Sequence, residues 1–319
     1  MAKRRMGIIA FMLCVCLFLM PCQAQAASTT DAKEPISTEQ DCSLDISYCS
    51  GGIAFSELPV RLYKIADVSA DFQYTLTSSL EKSNLILNGI QTVGEWNVIR
   101  STLETHILAN DVAADINGIT DAEGKASFGA LKPGLYLAIT DRVTQDNMTY
   151  VFDSALIALP GLDTDGLWQY QVEVTSKSQI ILPSEDDEEI EYKVLKLWKG
   201  DNGTSARPTT IEVEIFRNGT SYQTITLSED NHWTYTWSAK DDGSDWKVVE
   251  RNIPTGYTMT IEERETSFVI TNTFTQDDPG TPTPPQTGDT SNIMLWFILM
   301  IISGSMLIVL GITGKRNRL

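Results

Sequence analysis

Histidine is almost missing from this chain: among 319 residues only His106 and His232 occur. The two are far apart in sequence and neither stands at a metal-ligand spacing, so zinc chemistry and imidazole acid–base catalysis have little to build on. A Gly-rich phosphate loop and a nucleophile elbow are also lacking, which leaves a surface enzyme poorly supported. Basic residues are scarce, with 24 Lys and Arg against 42 Asp and Glu and a formal net charge of −18. A surface of that sign repels nucleic acid, so no nucleic-acid partner is expected. Long apolar runs are confined to the two ends.

Those ends are informative. Residues 1–26 carry Lys3, Arg4 and Arg5, an apolar run from Ile8 to Met20, and then Ala24-Gln25-Ala26. This order predicts a secretory signal peptide cleaved after Ala26. Pro21 stands directly before Cys22, where a lipoprotein signal has a small residue, so lipidation is not expected. At the other end, residues 293–312 form an uncharged apolar run of 20 residues, about 30 Å as a helix, enough to cross a bilayer. Lys315, Arg316 and Arg318 follow in the tail 313–319. Positive charge at that flank predicts a cytoplasmic tail and a body outside the cell.

Before the span stands PPQTGDTS, Pro284 to Ser291. The motif, span and basic tail together resemble the LPxTG-type sorting signal of Gram-positive surface proteins. That resemblance implies a sortase as partner, which cuts between Thr287 and Gly288. The threonine carbonyl is then joined to a peptidoglycan precursor or to a lysine of another pilin subunit. Pro284 occupies the position usually held by leucine, while Pro285 and Gln286 precede the threonine with the usual spacing. By the same resemblance the membrane holds the precursor only until sorting, and the mature protein is attached covalently to the cell wall.

Removing both end segments leaves residues 27–287, with 18 basic and 41 acidic residues, a net of −23. Of the five cysteines only Cys42 and Cys49 remain in it. As one strand, CSLDISYC places these two near 23 Å apart at about 3.3 Å per residue, whereas a disulfide needs Cα atoms within about 7 Å. Two thiols or a distorted hairpin remain as the readings.

Along the chain, residues 27–41 are polar and expected to be flexible. Residues 42–181 read as a first β domain, with strand-like pieces at SLDISY, PVRLYKIAD, KASFGAL, LYLAITD, YVFDSALIAL and LWQYQVEV. Trp96, Ile99, Leu103 and Ile107 recur at helical spacing between the second and third pieces, predicting one inserted helix whose apolar stripe covers the sandwich. The acidic run 182–191 reads as a solvated linker. Residues 192–275 alternate throughout and predict seven short strands, VLKLW, TTIEVEIF, YQTITL, WTYTW, DWKVVE, YTMTIEE and FVITNTF. Asn218-Gly219 is a two-residue hairpin signal between the second and third. The fold class expected is all-β, two immunoglobulin-like sandwiches, the first with a helix. Residues 276–292 form a Pro-rich spacer ending in the sorting motif.

Three polar residues of the second domain stand in apolar rows. Asn272 is in phase with Phe268, Ile270 and Phe274. Lys196 is in phase with Tyr192, Val194 and Trp198, although Leu195 and Leu197 make the opposite row apolar too. Glu250 is in phase with Trp246 and Val248. Burial lowers a lysine pKa and raises a glutamate pKa, which favours a neutral amine as nucleophile and a protonated acid beside the amide. The chemistry open to such a trio is an isopeptide bond between Lys196 and Asn272 with loss of ammonia, and it calls for no cofactor. The bland alternative is a Lys196–Glu250 ion pair with Asn272 only hydrogen-bonded.

KLW, VVERNIPTGYTMTI and ITNTF closely resemble the opening, acidic and closing segments of the Cna protein B-type domain of Gram-positive adhesins and pilins. The resemblance implies Lys196 as nucleophile, Asn272 as electrophile and Glu250 as catalytic acid and proton shuttle. The first domain, notably TDAEGKASFGALKPGLYLAITD from Thr120 to Asp141, is similar to the amino-terminal domain of sortase-assembled pilins. Asp141 is in phase with Leu135, Leu137 and Ile139, yet SLDISY offers no lysine and QYQVEV no asparagine, so no such bond is expected there. Lys177 stands where backbone pilins carry the lysine that attacks the next subunit, without their Tyr-Pro-Lys context; read from the residues alone it is a solvated surface charge. The expected function is a cell-wall-anchored pilin subunit or adhesin stalk. The alternative is a ligand-binding adhesin whose first domain recognises a host protein or glycan.

Overall fold

Period-two alternation dictates most of the architecture. The computed structural model describes residues 34–182, 189–201 and 207–275. The signal peptide, spacer, sorting motif, apolar span and basic tail expected from the sequence lie outside those residues.

In chain order the first domain runs β1 (Cys42–Ser47), β2 (Cys49–Ser50), β3 (Ile53–Ala54), β4 (Pro59–Val68), β5 (Tyr74–Leu76), α1 (Val93–Ala109), β6 (Ile116–Ile119), β7 (Lys125–Leu131) and β8 (Gly134–Thr140). It continues through β9 (Val143–Gln145), β10 (Met148–Phe152), β11 (Ala155–Leu159), β12 (Gly161–Leu162), β13 (Trp168–Gln169), β14 (Gln171–Thr175) and β15 (Ser178–Ile181). One sheet has the order β14-β1-β7 and another β11-β8-β4-β5, with β6 also on β4. Leu44, Ile46 and Tyr48 all face the core, as their alternation requires. Two stretches read as single strands divide. YVFDSALIAL breaks at Asp153–Ser154 into β10, which pairs with β9 and β15, and β11, which pairs with β8. LWQYQVEV breaks into β13 and β14, whose partners β12 and β1 differ.

Residues 34–41, expected to be flexible, are tied down. Ile36 is buried in the first domain's core, its amide donates to the Ala70 carbonyl at 3.2 Å, and the Trp168 indole donates to the Glu34 carbonyl at 2.6 Å. One apolar side chain with two backbone anchors outweighs the polar composition around it. Cys42 is buried and Cys49 exposed, and both are free thiols.

Helix α1 starts where Thr92 and Glu95 form a reciprocal capping box. Its stripe Ile99, Leu103 and Ile107 packs with Tyr63, Ile65, Leu135 and Leu137 of β4 and β8, as the spacing predicts. Its other side meets the second domain.

That domain contains β16 (Glu189–Lys199), β17 (Thr210–Arg217), β18 (Thr220–Ser228), β19 (Thr234–Lys240), β20 (Trp246–Glu250), β21 (Tyr257–Arg264) and β22 (Ser267–Phe274). All seven predicted strands are present. Asn218 and Gly219 both have positive φ, 50° and 76°, and join β17 to β18 as a two-residue turn between paired Arg217 and Thr220. The sheets are β19-β16-β22-β21 and β18-β17-β20. Strand β16 begins at Glu189, inside the stretch read as linker, because Glu189, Ile190 and Glu191 pair with Lys240, Ala239 and Ser238.

Candidate functional site

The first and last strands of the second domain, β16 and β22, lie side by side and parallel, with Lys196 opposite Ile270 and Trp198 opposite Asn272. Alternation sends Tyr192, Val194 and Lys196 inward from β16, and Phe268, Ile270 and Asn272 inward from β22. The ambiguity of the β16 row resolves the same way: Leu197 is 39% exposed and Lys196 only 2%. From the facing sheet β20 contributes Trp246, Val248 and Glu250, all buried.

These rows converge. Lys196 Nζ donates to Glu250 Oε2 at 2.5 Å, and Asn272 Nδ2 donates to Glu250 Oε1 at 2.9 Å. Neither the lysine nor the glutamate side chain reaches solvent, and Asn272 is 0% exposed. Among the described residues Asn272 Oδ1 has no hydrogen-bond partner. Burial depresses the Lys196 pKa from its ordinary 10.5 to about 8, outweighing the opposite pull of Glu250. The arrangement is a carboxylate that touches an amine with one oxygen and a carboxamide with the other, closed off from bulk solvent. It can carry protons between the two nitrogens.

Sequence reasoning missed the surroundings of this trio. The Trp198 ring lies over Lys196 Nζ, 4.7 Å from nitrogen to ring centroid. Just beyond it, buried Asp201 accepts hydrogen bonds from Arg207 Nε at 2.9 Å, Arg207 Nη2 at 2.6 Å and the Tyr257 hydroxyl at 2.8 Å. Asp201 and Arg207 share no periodic row, so alternation gave no sign of them.

Other residues singled out by sequence lie apart. Lys177 is exposed between β14 and β15, with its backbone carbonyl accepting from the Asp153 amide at 2.9 Å. Asp141, in phase with the apolar row of β8, is beyond the end of that strand and forms a bidentate pair with Arg61 at 2.7 and 3.1 Å. His106 sits on α1 and His232 in the turn before β19. Among the described residues no group of three or more His, Cys, Asp or Glu is placed to hold a metal ion. Pro284, Pro285, Gln286, Thr287 and Gly288 lie outside the described residues.

A curated relative, a collagen adhesin of Staphylococcus aureus, is 30% identical over 101 residues, 29% of this chain; the chain spans 8% of that relative's length. A solved single B repeat unit of the collagen-binding surface protein of Staphylococcus aureus is 17% identical, covering 74% of this chain and 100% of that one, with a TM-score of 0.26. The full-length major pilin SpaD of Corynebacterium diphtheriae is 10% identical, with coverages of 75% and 98% and a TM-score of 0.28. GBS52, a minor pilin of Streptococcus agalactiae, is 16% identical, with coverages of 76% and 98% and a TM-score of 0.23. Residues 192–273 match the model of the Cna protein B-type domain, a span that holds all of Lys196, Glu250 and Asn272.

Proposed function

We propose that this chain is a cell-wall-anchored structural surface protein, a pilin subunit or adhesin stalk, whose second domain is clamped by an isopeptide bond between Lys196 and Asn272. The observation that carries the reading is the Glu250 carboxylate, in hydrogen-bond contact with both the amine and the carboxamide inside a closed core. A proton passes from Lys196 Nζ to Glu250, leaving a neutral amine. Its lone pair attacks Asn272 Cγ, and the new C–N bond forms as the Cγ–Nδ2 pair departs with nitrogen. The second proton lost by Nζ travels through the carboxyl group to Nδ2, which leaves as ammonia. Glu250 retains the first proton.

The bond would close a loop between residues 76 apart, for which the chain-entropy model gives about 4 kcal/mol. It also joins the first strand of the domain to the last, so a pull on both ends is carried by a covalent link and bypasses the sheet. That suits a tether between a sortase-processed Thr287 and the rest of the molecule. The proposed partners are a sortase and either a peptidoglycan precursor or other pilin subunits, with exposed Lys177 as the acceptor in the polymer.

Proteolytic mapping of the purified full chain tests the bond: a branched peptide joining Lys196 to Asn272, lighter than its parts by one ammonia, is expected, and separate linear peptides reject it. Expression in a Gram-positive host with its sortase tests assembly. A ladder of high-mass wall species that Lys177→Ala abolishes supports a polymer; a single band rejects one.

A further inference from the structure

The inward row of β16 runs Tyr192, Val194, Lys196, Trp198 and then Gly200, which has no side chain to continue it. Gly200 has φ +76°, and a Cβ there would come within 3.3 Å of the Phe274 carbonyl oxygen. Trp198 is therefore the last inward side chain on this strand between Lys196 and the end of the sandwich. It is partly exposed, whereas the Lys196 side chain behind it is sealed.

The ring is held on several sides. Trp233 and Tyr257 meet it edge to face at 5.3 and 5.2 Å, and the Arg207 guanidinium lies 5.3 Å from its centroid. Tyr257 also meets Phe274, the terminal inward side chain of β22, at 5.2 Å, and so spans the ends of both β16 and β22. What orients Tyr257 and Arg207 is one buried carboxylate, Asp201, which accepts from both. Two bonds from one guanidinium and a third from the Tyr257 hydroxyl converge on this buried anion, which fixes Arg207 and Tyr257 relative to each other.

We propose that Trp198, pinned by the Asp201–Arg207–Tyr257 cluster, is a positioning residue for the Lys196 amine: it closes the end of the site to water and fixes the amine against Glu250. This inference rests on the isopeptide reading above. Removing the ring lets water solvate the ammonium form of Lys196, and removing the Asp201 charge lets the ring move. In either case the amine becomes harder to neutralise. Each unit by which an amine pKa rises lowers its neutral fraction about tenfold at a pH below it.

The test follows the branched Lys196–Asn272 peptide over time after cell-free synthesis of the full chain, quenched at intervals from pH 6 to pH 10, for wild type, Trp198→Ala, Trp198→Phe and Asp201→Asn. Near-ultraviolet circular dichroism confirms that each variant is folded. The expected result is that Trp198→Ala slows the bond about tenfold or more at neutral pH and moves the rise of the rate to higher pH. Asp201→Asn shifts the profile the same way, and Trp198→Phe restores most of the rate. Wild-type rates and an unchanged profile in folded Trp198→Ala or Asp201→Asn overturn the proposal. If Trp198→Ala does not fold, the Asp201→Asn and Trp198→Phe profiles decide it. Absence of the branched peptide from wild type is a separate outcome, which overturns the isopeptide reading itself.

Discussion

Glu250 Oε2 lies 2.5 Å from Lys196 Nζ, with both side chains wholly removed from solvent, and the other carboxylate oxygen holds Asn272. A buried ion pair contributes little net stability, because desolvation offsets the Coulomb attraction, but breaking one leaves a stranded charge.

Glu250→Ala is expected to abolish the branched peptide and to lower stability by about 3–5 kcal/mol from the uncompensated lysine, with a further loss of about 4 kcal/mol if the loop is no longer closed. Urea unfolding beside peptide mapping measures both. A variant that still cross-links would remove Glu250 from the mechanism.

The pH dependence has a definite sign. With its folded pKa near 8 against an ordinary 10.5, Lys196 binds more proton when unfolded throughout that interval. Stability therefore rises with pH from about 8 to about 10.5 wherever the lysine is not cross-linked. Asn272→Ala, which cannot form the bond, should show this rise in chemical denaturation, and Lys196→Met in the same background should lack it.

Lys247 of β20 bridges two domains, reaching Glu104 of α1 at 3.1 Å and Glu263 of β21 at 2.9 Å. Burial alone would lower its pKa, but the two carboxylates outweigh that and hold the ammonium well above its ordinary range. Lys247→Ala takes from partly buried Glu263 the cation at 2.9 Å, while Glu104 keeps its pair with Arg100 at 2.5 Å, and a loss of about 3 kcal/mol is expected. Calorimetry should show a lower transition temperature for the variant; an unchanged one would show that the bridge adds nothing to the contact between the domains.

Thr102 of α1 is 1% exposed, and its Oγ1 accepts the Ile261 amide of edge strand β21 at 2.8 Å. Thr102→Val leaves that amide without its partner at a cost of about 1–3 kcal/mol. Hydrogen exchange at Ile261 should accelerate more than at its neighbours; equal protection would show that the hydroxyl is dispensable.

Much of the second domain could be read directly from alternation. A strand has period two whatever it packs against, so Phe268, Ile270 and Asn272 had to share a face. The Asn218-Gly219 turn was equally local. The β16 row was ambiguous because Leu195 and Leu197 are as apolar as Val194. Its phase came from pairing with β22, which turns Lys196 toward Glu250 and leaves Leu197 partly exposed. The inserted helix was legible from Ile99, Leu103 and Ile107, but not its second contact: Thr102 and Glu104 read as ordinary polar positions until the second domain lies against them. Ile36 likewise looked like one apolar residue in a loose segment.

Spacing between near neighbours was enough for the seven strands of the second domain, the Asn218-Gly219 turn, the inserted helix and the inward direction of Glu250 and Asn272. Long-range packing was needed to bring residues 196, 250 and 272 together, to lay the Trp198 ring over Lys196, to join Asp201 to Arg207 and Tyr257, and to set α1 against both domains. Those contacts depend on which strand lies beside which and how two sheets close on each other. No local period carries that information; it is set by burying both inner faces at once.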